Sequence, residues 1–333
     1  MIEVKGAPAV EQLSFRRLKD SSDYALMSAI SRKSWLADGF EWIQTEEDIA
    51  QNYADRDKRD PIRDIVLIDV GSETVGFGEI LTERVDGDST AFRNSVHLLP
   101  EWRGKGIREA VFDFNEKELL KRKREANVTY YFQTWANDEP NDFKSIVLSK
   151  GYVPSWHILE MVRSDLDHIP VCELPHGLEV RPVAPRDYRQ IWGSMKEAFR
   201  GEPWYVESKY DDEGYKQWVE SPEFSPELWQ VAWDGDKVVG TVQSYVKKEE
   251  NEAFGRKRGH TEQIFVAPTW QRKGVASALI TRSLVKLRDI GMRDATLDVG
   301  VVADKVSGAL MLYQSMGYRT LHHFTFYRKP IPQ

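Results

Sequence analysis

The residues with the clearest chemical potential lie in a short turn between an apolar strand and an amphipathic helix. The segment from 266 to 276 reads VAPTWQRKGVA and places Arg272, Lys273 and Gly274 directly before the predicted helix. The first N–H groups of a helix lack an internal hydrogen-bond partner, and the helix dipole favours negative charge there. Glycine lets a ligand approach the backbone, and the two cations add positive charge. The turn therefore predicts a cradle for a pyrophosphate group.

Regular elements on both sides of this turn must hold it in place. The segment before it, from 263 to 266, reads QIFV, a composition typical of a strand. The segment after it carries apolar residues at helical spacing, namely Val275, Ala276, Leu279, Ile280, Leu284 and Leu287. Both flanks are therefore predicted to be core elements that keep the turn rigid.

The turn resembles the signature of the GNAT superfamily of acyl-CoA-dependent N-acyltransferases, which reads roughly V-x-P-x-x-R/Q-x-x-G-x-G/A. Every fixed position of that signature has a match between residues 266 and 276. The resemblance implies that the turn holds the pyrophosphate of acetyl-CoA. The cofactor contacts that it implies here are Phe265, Val266, Gln271, Arg272, Lys273, Gly274, Val275 and Ala276.

A second motif lies about forty residues further on. In the same family a later helix often reads N-x-x-x-A-x-x-L-Y-x-x-x-G-F/Y. The matching positions in this chain are Ala309, Leu312, Tyr313, Gly317 and Tyr318. Lys305 stands where the family has an asparagine that helps to hold the pantetheine arm, so the resemblance places Lys305 among the cofactor contacts.

The chain also contains an internal duplication. Four landmarks recur in the same order at offsets of 164 to 168 residues: Phe15 and Val180, Val75-Gly76 and Val239-Gly240, Pro100 and Pro268, Gly151-Tyr152 and Gly317-Tyr318. We therefore predict an N-terminal domain at 10–164, a linker at 165–176 and a C-terminal domain at 177–333. The predicted fold class is α/β (α+β), with two tandem GNAT domains, each a mixed, mostly antiparallel sheet flanked by helices.

The two predicted domains differ in chemically important residues. The first keeps a similar turn, and the implied cofactor contacts there are Leu98, Arg103, Gly104, Lys105 and Gly106. However, Arg108 stands where the family has a small residue, and Val147 replaces the tyrosine found at Tyr313. Loss of a proton donor matters for acyl transfer.

The strands that precede the two turns also differ in their proton-accepting residues. Residues two apart on a strand share a face, so Val266 is predicted to share its face with Ile264, Glu262 and His260. The corresponding residues of the first half are Leu98, Val96, Asn94 and Phe92, none of which accepts a proton readily. We therefore predict that 177–333 carries the chemistry and that 10–164 is catalytically degenerate.

The family resemblance implies roles for three residues. Glu262 would accept a proton from the acceptor amine, with His260 as a substitute base, and Tyr313 would protonate the departing thiolate. A strand N–H near Phe265 or Val266 would stabilise the oxyanion. Structural alternatives exist for each: a cross-strand charge partner for Glu262, a turn surface for His260 and a core aromatic for Tyr313.

The segment expected to shape the acceptor pocket is rich in aromatic and acidic residues. Trp204, Tyr205 and Tyr210 are its candidate substrate-binding residues, because aromatic faces beside carboxylates suit a cationic amine. The acceptor would be the amine of a small molecule or a peptide. The alternative is that these rings pack inward.

Composition limits the remaining possibilities. The net charge of −7 argues against a general nucleic-acid binder, and no apolar run is long enough to span a bilayer. A single cysteine and an N-terminus without signal-peptide features indicate a cytoplasmic protein. We predict no metal site and a monomer or homodimer. Two alternatives to an enzyme are a non-catalytic acyl-CoA-binding regulator and an interaction module that retains only the fold.

Overall fold

The computed structural model describes residues 1–53, 60–139, 141–302 and 308–331. The strands are β1 (Leu13–Arg17), β2 (Ile65–Val70), β3 (Glu73–Arg84), β4 (Ser89–Leu98), β5 (Thr129–Asn137), β6 (Val153–Arg163), β7 (Glu179–Val180), β8 (Gln230–Asp234), β9 (Lys237–Tyr245), β10 (Arg258–Val266), β11 (Asp294–Val302) and β12 (Arg319–Pro330). The α-helices are α1 (Asp23–Ala37), α2 (Glu46–Asn52), α3 (Pro61–Asp64), α4 (Ile107–Leu120), α5 (Asp142–Ser149), α6 (Tyr188–Phe199), α7 (Asp212–Glu220), α8 (Lys248–Ala253), α9 (Val275–Asp289) and α10 (Gly308–Ser315).

The chain forms two compact units. Unit 1 contains Met1–Trp156, Val206–Ser208 and Phe324–Gln333, and unit 2 contains His157–Tyr205 and Lys209–His323. The C-terminal part of β12 thus belongs to unit 1, and the C-terminal part of β6 belongs to unit 2. The domain boundaries inferred from the sequence stay a prediction.

Unit 1 has the strand order β1-β2-β3-β4-β5-β12. All of these pairings are antiparallel except that of β4 with β5, which is parallel. The core contains the apolar face of α4, which buries Ile107, Val111 and Phe112. Helix α1 buries Met27 and Ile30 in the same core.

Unit 2 has the strand order β6-β11-β10-β9-β8-β7, and β10 and β11 form its parallel pair. Helix α9 packs on one face through Val275, Leu279 and Leu284, which the sequence spacing predicted as a core stripe. Helix α6 packs into a second apolar cluster through Ile191 and Trp192. The predicted α/β fold, with a mostly antiparallel sheet flanked by helices, is confirmed.

The order of elements around the two turns is the same in both halves of the chain. In each half, two antiparallel strands are followed by a 3₁₀ turn, a long helix, a parallel strand and a shorter helix. Among the described helices none is both long and apolar enough to cross a membrane.

Candidate active site

Strand β10 contains a β-bulge just before the turn. Glu262 pairs with Gln243 of β9, whereas Phe265, three residues later, pairs with Thr241, only two residues away on the partner strand. The extra residue is accommodated at Gln263, whose φ of 49° lies in the left-handed region. The Gln263 carbonyl accepts a hydrogen bond of 2.7 Å from the Thr241 hydroxyl. Bulges of this kind often occur beside active sites, where they redirect side chains.

The bulge overturns one prediction from the sequence. Ile264 and Val266 pack in the apolar cluster of α9, whereas Gln243, opposite Glu262, bonds to residues of α6 and α7 on the other face. The expectation that Glu262 shares a face with Ile264 and Val266 is therefore wrong, because the inserted residue reverses the alternation. His260 and Glu262, which precede the bulge, do share a face.

Strands β10 and β11 diverge beside Glu262. Their parallel pairing runs from Arg258 to His260 and ends there within the described chain. Beyond it, the Asp298 backbone N–H donates a 3.1 Å hydrogen bond to the Glu262 carboxylate. Both acidic side chains are enclosed by protein atoms yet keep accessible surface, which is the situation of residues that line a cleft.

This environment makes Glu262 a stronger base than an ordinary carboxylate. Burial and then the charge of Asp298 raise the pKa of Glu262 well above its usual range, and the N–H of Asp298 opposes part of that rise. Burial also raises the pKa of Asp298 to about 6, against a lowering by Lys247. A base whose pKa lies closer to neutrality accepts a proton more effectively.

His260 is enclosed and neutral. Its ring stacks on Tyr245 with centroids 4.8 Å apart, and its Nδ1 lies 3.0 Å from the Thr296 hydroxyl. Burial is the main cause that lowers the pKa of His260 well below its usual value, and nearby Lys and Arg charges add to it. Since a lowered pKa weakens a base, His260 is less suited than Glu262 to accept a proton.

Tyr313 lies on α10 with only 5% of its surface exposed. Burial, followed by the charge of Glu262, raises the pKa of Tyr313, so the phenol stays protonated at neutral pH. Its hydroxyl has no hydrogen-bond partner within the described residues, whereas that of neighbouring Tyr318 lies 3.0 Å from the Thr261 hydroxyl. A protonated phenol without a hydrogen-bond partner, close enough for the charge of Glu262 to act on it, has the properties of a proton donor.

The turn after β10 has the geometry of an anion-binding helix start. Gly274, with a φ of 87°, precedes α9 without a side-chain cap, and nothing lies within 4 Å of a Cβ built there. Arg272 also has a positive φ, 61°, which is uncommon outside glycine. The Lys273 ammonium lies 4.8 Å from the Trp270 ring centroid, and the Gln271 amide donates to the Val266 carbonyl at 3.0 Å. The backbone N–H groups of the first turn therefore face an open space with basic residues beside it.

The other proposed cofactor contacts occupy the flanks of this turn. Phe265 is 8% exposed and Val275 is 1% exposed, so both side chains are packed in the core and would reach a ligand only through backbone atoms. Ala276 is partly buried in the first turn of α9. Lys305 lies outside the described residues.

Comparisons with known proteins agree with this geometry. Residues 188–318 match the Acetyltransferase (GNAT) family model. The segment that matches this family includes β8 to β11, helix α9 and the turn between β10 and α9. It is 23% identical over 302 residues to a mycothiol acetyltransferase of Geodermatophilus obscurus, covering 90% of this chain and 92% of that protein. The family match and this relative support an acetyl-CoA-dependent N-acetyltransferase.

Two solved structures show the fold. A GCN5-related N-acetyltransferase from Sphaerobacter thermophilus has a TM-score of 0.74 at 21% identity, covering 97% of both chains. A tandem GNAT protein from the clavulanic acid biosynthesis pathway has a TM-score of 0.63 at 12% identity, covering 96% of this chain and 99% of that one. Together with the family match over residues 188–318 and the curated relative, these structures confirm the resemblance to a tandem GNAT protein.

The GNAT-like turn of unit 1 has glycines with positive φ values, as the turn before α9 does, but its side chains have different partners. Gly104 and Gly106 have φ values of 70° and 81°, and the Lys105 ammonium lies 4.3 Å from the Trp102 ring centroid. Arg103, however, is bonded to both carboxylate oxygens of Asp38, at 2.7 and 3.1 Å. This arginine is engaged within the protein rather than available to a phosphate.

Strand β4, which leads into that turn, has no bulge. It pairs with β3 without a register shift from Leu98, which is fully buried, to Thr90. Asn94 donates to the Phe112 carbonyl at 2.9 Å and so faces α4. Arg108 is buried and paired with Asp142 at 2.8 Å. Asn94, the residue that corresponds to Glu262, thus has a side-chain amide that is hydrogen-bonded to α4.

The three candidate substrate-binding residues occupy different places in unit 2. Tyr205 stacks on Tyr210 at 5.0 Å, and Tyr210 lies 5.2 Å from Trp192, so both tyrosines pack in the aromatic core. The Trp204 indole covers Gly300 of β11, where an added Cβ would lie only 2.1 Å from it. Of the three, Trp204 is the residue placed against the strand that carries Asp298.

Sequence reasoning missed two carboxylates. Asp298 lies between Leu297 and Val299 on β11, and Glu160 lies between Leu159 and Met161 on β6. An acid within an apolar strand was the available signal in both cases. Glu160 also lies outside the segment that matches the GNAT model, in the half of the sequence where no catalytic group was predicted.

Proposed function

We propose that the protein transfers an acetyl group from acetyl-CoA directly to a primary amine of a small molecule or peptide, in a ternary complex at unit 2. The observation that carries the proposal is Glu262, which lies at the divergence of β10 and β11 with a raised pKa. The Tyr313 hydroxyl has no hydrogen-bond partner within the described residues, and the charge of Glu262 raises its pKa. A carboxylate that accepts a proton and a phenol that donates one are the two groups that acylation of an amine requires.

The turn at 271–276 fits the pyrophosphate of coenzyme A. The uncapped first turn of α9 offers backbone N–H groups, and Gly274 leaves them accessible. Arg272 and Lys273 add the positive charge that a pyrophosphate requires. The pantetheine arm would then follow β10 past the bulge, and an N–H near Phe265 or Val266 would stabilise the oxyanion.

Glu262 and Tyr313 would carry out the two proton transfers of the reaction. Glu262 takes a proton from the acceptor ammonium, directly or through a water molecule, and the resulting amine attacks the thioester carbonyl. The C–N bond forms, the C–S bond breaks and Tyr313 donates its proton to the thiolate, while the second proton of the attacking nitrogen restores the Tyr313 phenol. The acceptor of mycothiol acetyltransferase is not carried over, because similarity of fold does not transfer a substrate.

A calorimetric titration with acetyl-CoA, paired with a thiol-release assay, tests this proposal. Gly274→Glu puts a carboxylate in the proposed cradle and should abolish binding and turnover, because it repels the pyrophosphate and strains the backbone. Gly106→Glu, the matched change in unit 1, should leave the site in unit 2 intact.

Three results would each contradict a part of this proposal. Unchanged binding in Gly274→Glu would refute the cradle. Tight binding without thiol release from any amine would favour a non-catalytic acyl-CoA-binding regulator. No binding at all would leave an interaction module.

A further inference from the structure

Three acidic side chains share one face of three neighbouring strands in unit 2. They are Glu160 on β6, Asp298 on β11 and Glu262 on β10, and these strands are adjacent in that order. The residues on either side of Glu160 and of Asp298 pack in the α9 cluster, so the two acids point to the opposite face. Glu262 lies on that face as well, as the bulge shows. The charges of Glu160 and Asp298 both act on Glu262, which indicates a common site.

Glu160 is the least satisfied member of this group. Only 7% of its surface is exposed, and its Oε2 has no hydrogen-bond partner within the described structure. A buried carboxylate oxygen without a partner is costly, and native proteins rarely keep one without a reason. An oxygen of this kind, on the face that holds the proposed base, indicates a binding site for a group with hydrogen-bond donors.

The basic residues nearby are already engaged with other acids. Arg258 is bonded to Asp294 at 2.5 Å, and Arg256 to Glu250 at 2.7 Å. Lys247 forms ion pairs with Glu223 at 3.1 Å and with Glu250 at 3.8 Å. In the described part of the chain, Glu160, Glu262 and Asp298 form no ion pair. The three carboxyl groups of this site are therefore left without a cationic partner from the described chain.

We propose that Glu160 and Asp298 bind a second positively charged group of the acceptor, so the preferred substrate is a primary amine that carries a further ammonium or guanidinium group. This inference rests on the proposed function, because Glu262 is taken to receive the proton of the reacting amine. Trp204 covers Gly300, the next residue beyond Asp298 on the same face of β11, and its indole adds a surface that favours cations.

The ionisation of Glu160 agrees with such a ligand. Burial, then neighbouring charges, raises the pKa of Glu160 to about 7. The charged groups that act on it are Asp298 and Glu250, which raise the pKa, and Arg258 and Arg256, which lower it. Glu262 faces it from β10. A cation bound at Glu160 would favour its ionised form.

Two acceptors of matched length test the inference: 1,4-diaminobutane and butylamine. With the wild-type protein, thiol release should show a KM at least tenfold lower for the diamine. Glu160→Gln should raise the KM for the diamine about 10- to 100-fold, the scale of a lost charge-assisted hydrogen bond, and should raise the KM for butylamine much less. The matched control Glu252→Gln, an exposed acid of α8, should change neither amine.

Calorimetry with 1,4-diaminobutane and the CoA-loaded protein gives a second readout, which does not depend on turnover. Binding that weakens in Glu160→Gln supports the inference. Equal KM values for both amines in the wild-type protein would overturn it, as would an equal change for both in the variant. Binding of Mg²⁺ that depends on Glu160 and is not displaced by the diamine would also overturn it. Diamine binding without thiol release from any amine would instead refute the proposed function.

Discussion

Replacement of Glu262 by glutamine removes the proposed base while it preserves most of the local structure. The glutamine Oε1 can still accept the 3.1 Å hydrogen bond from the Asp298 N–H, so β11 should keep its position. The variant loses the group that receives the ammonium proton. General base catalysis contributes about 10²- to 10⁴-fold, so kcat should fall by that factor, which corresponds to about 3–5 kcal/mol.

The pH dependence should change together with the rate. The wild-type kcat should rise with pH as Glu262 ionises through its raised pKa, because only the carboxylate accepts a proton. Glu262→Gln should lose this dependence. Since the Glu262 charge helps to raise the pKa of Tyr313, that pKa should fall in the variant.

Steady-state thiol release between pH 5.5 and 9 measures both effects, with Glu252→Gln as the charge-matched control. The KM for acetyl-CoA should stay the same, because the cradle lies on the far side of the bulge. A kcat within twofold of the wild-type value, with the same pH profile, would show that Glu262 is not the base and would leave it as a cross-strand charge partner.

Three other variants test separate parts of the site. Tyr313→Phe should lower kcat, whereas Tyr318→Phe, which loses its contact with Thr261, should mainly lower the melting temperature; equal kcat values in the two variants would refute the acid role. Arg272→Gly should raise stability by about 0.5–1 kcal/mol in denaturant titrations by relief of its positive φ, yet weaken acetyl-CoA binding. Arg272→Ala, which loses the charge but keeps the strain, should only weaken binding; a stability gain in this variant would exclude strain at this position. The pKa of Glu160 is raised to about 7 in the folded protein, against 4.5 when unfolded, so protonation of Glu160 favours the folded state at low pH. This contribution to the free energy of unfolding, up to about 3 kcal/mol, is lost as the pH rises from 4.5 to 7. The melting temperature of Glu160→Gln relative to wild type should therefore increase from pH 5 to pH 8, and a constant difference would contradict the assigned pKa.

The sequence was sufficient to predict the turn at 266–276, its flanking strand and helix, and the repeated order of elements. These features depend on local patterns, namely apolar spacing and glycine placement, which a short segment encodes by itself. The bulge in β10 could not be predicted, because one extra residue leaves no compositional trace and is defined only by the register with β9.

Glu160 escaped prediction for a related reason. Its part of β6 belongs to unit 2 although its sequence lies in the first half of the chain, so its neighbours are set by pairings distant in sequence. Asp298 is local to the second half, but only the divergence of β11 from β10 makes its carboxylate part of a cleft. Both residues acquire their chemistry from tertiary structure.

The bulge also explains why the two halves differ more than their similar turns suggest. A regular strand before the turn places the position of Glu262 towards the long helix, as in β4, where Asn94 is bonded to α4. One additional residue in β10 reverses that direction and brings Glu262 to the face that also holds Asp298 and Glu160. A carboxylate directed towards the helix would be buried among apolar side chains, which costs free energy. Asn94, a neutral amide, therefore suits the regular register of β4, and the Glu262 carboxylate suits the bulged register of β10. The register of one strand therefore determines which half can accept a proton.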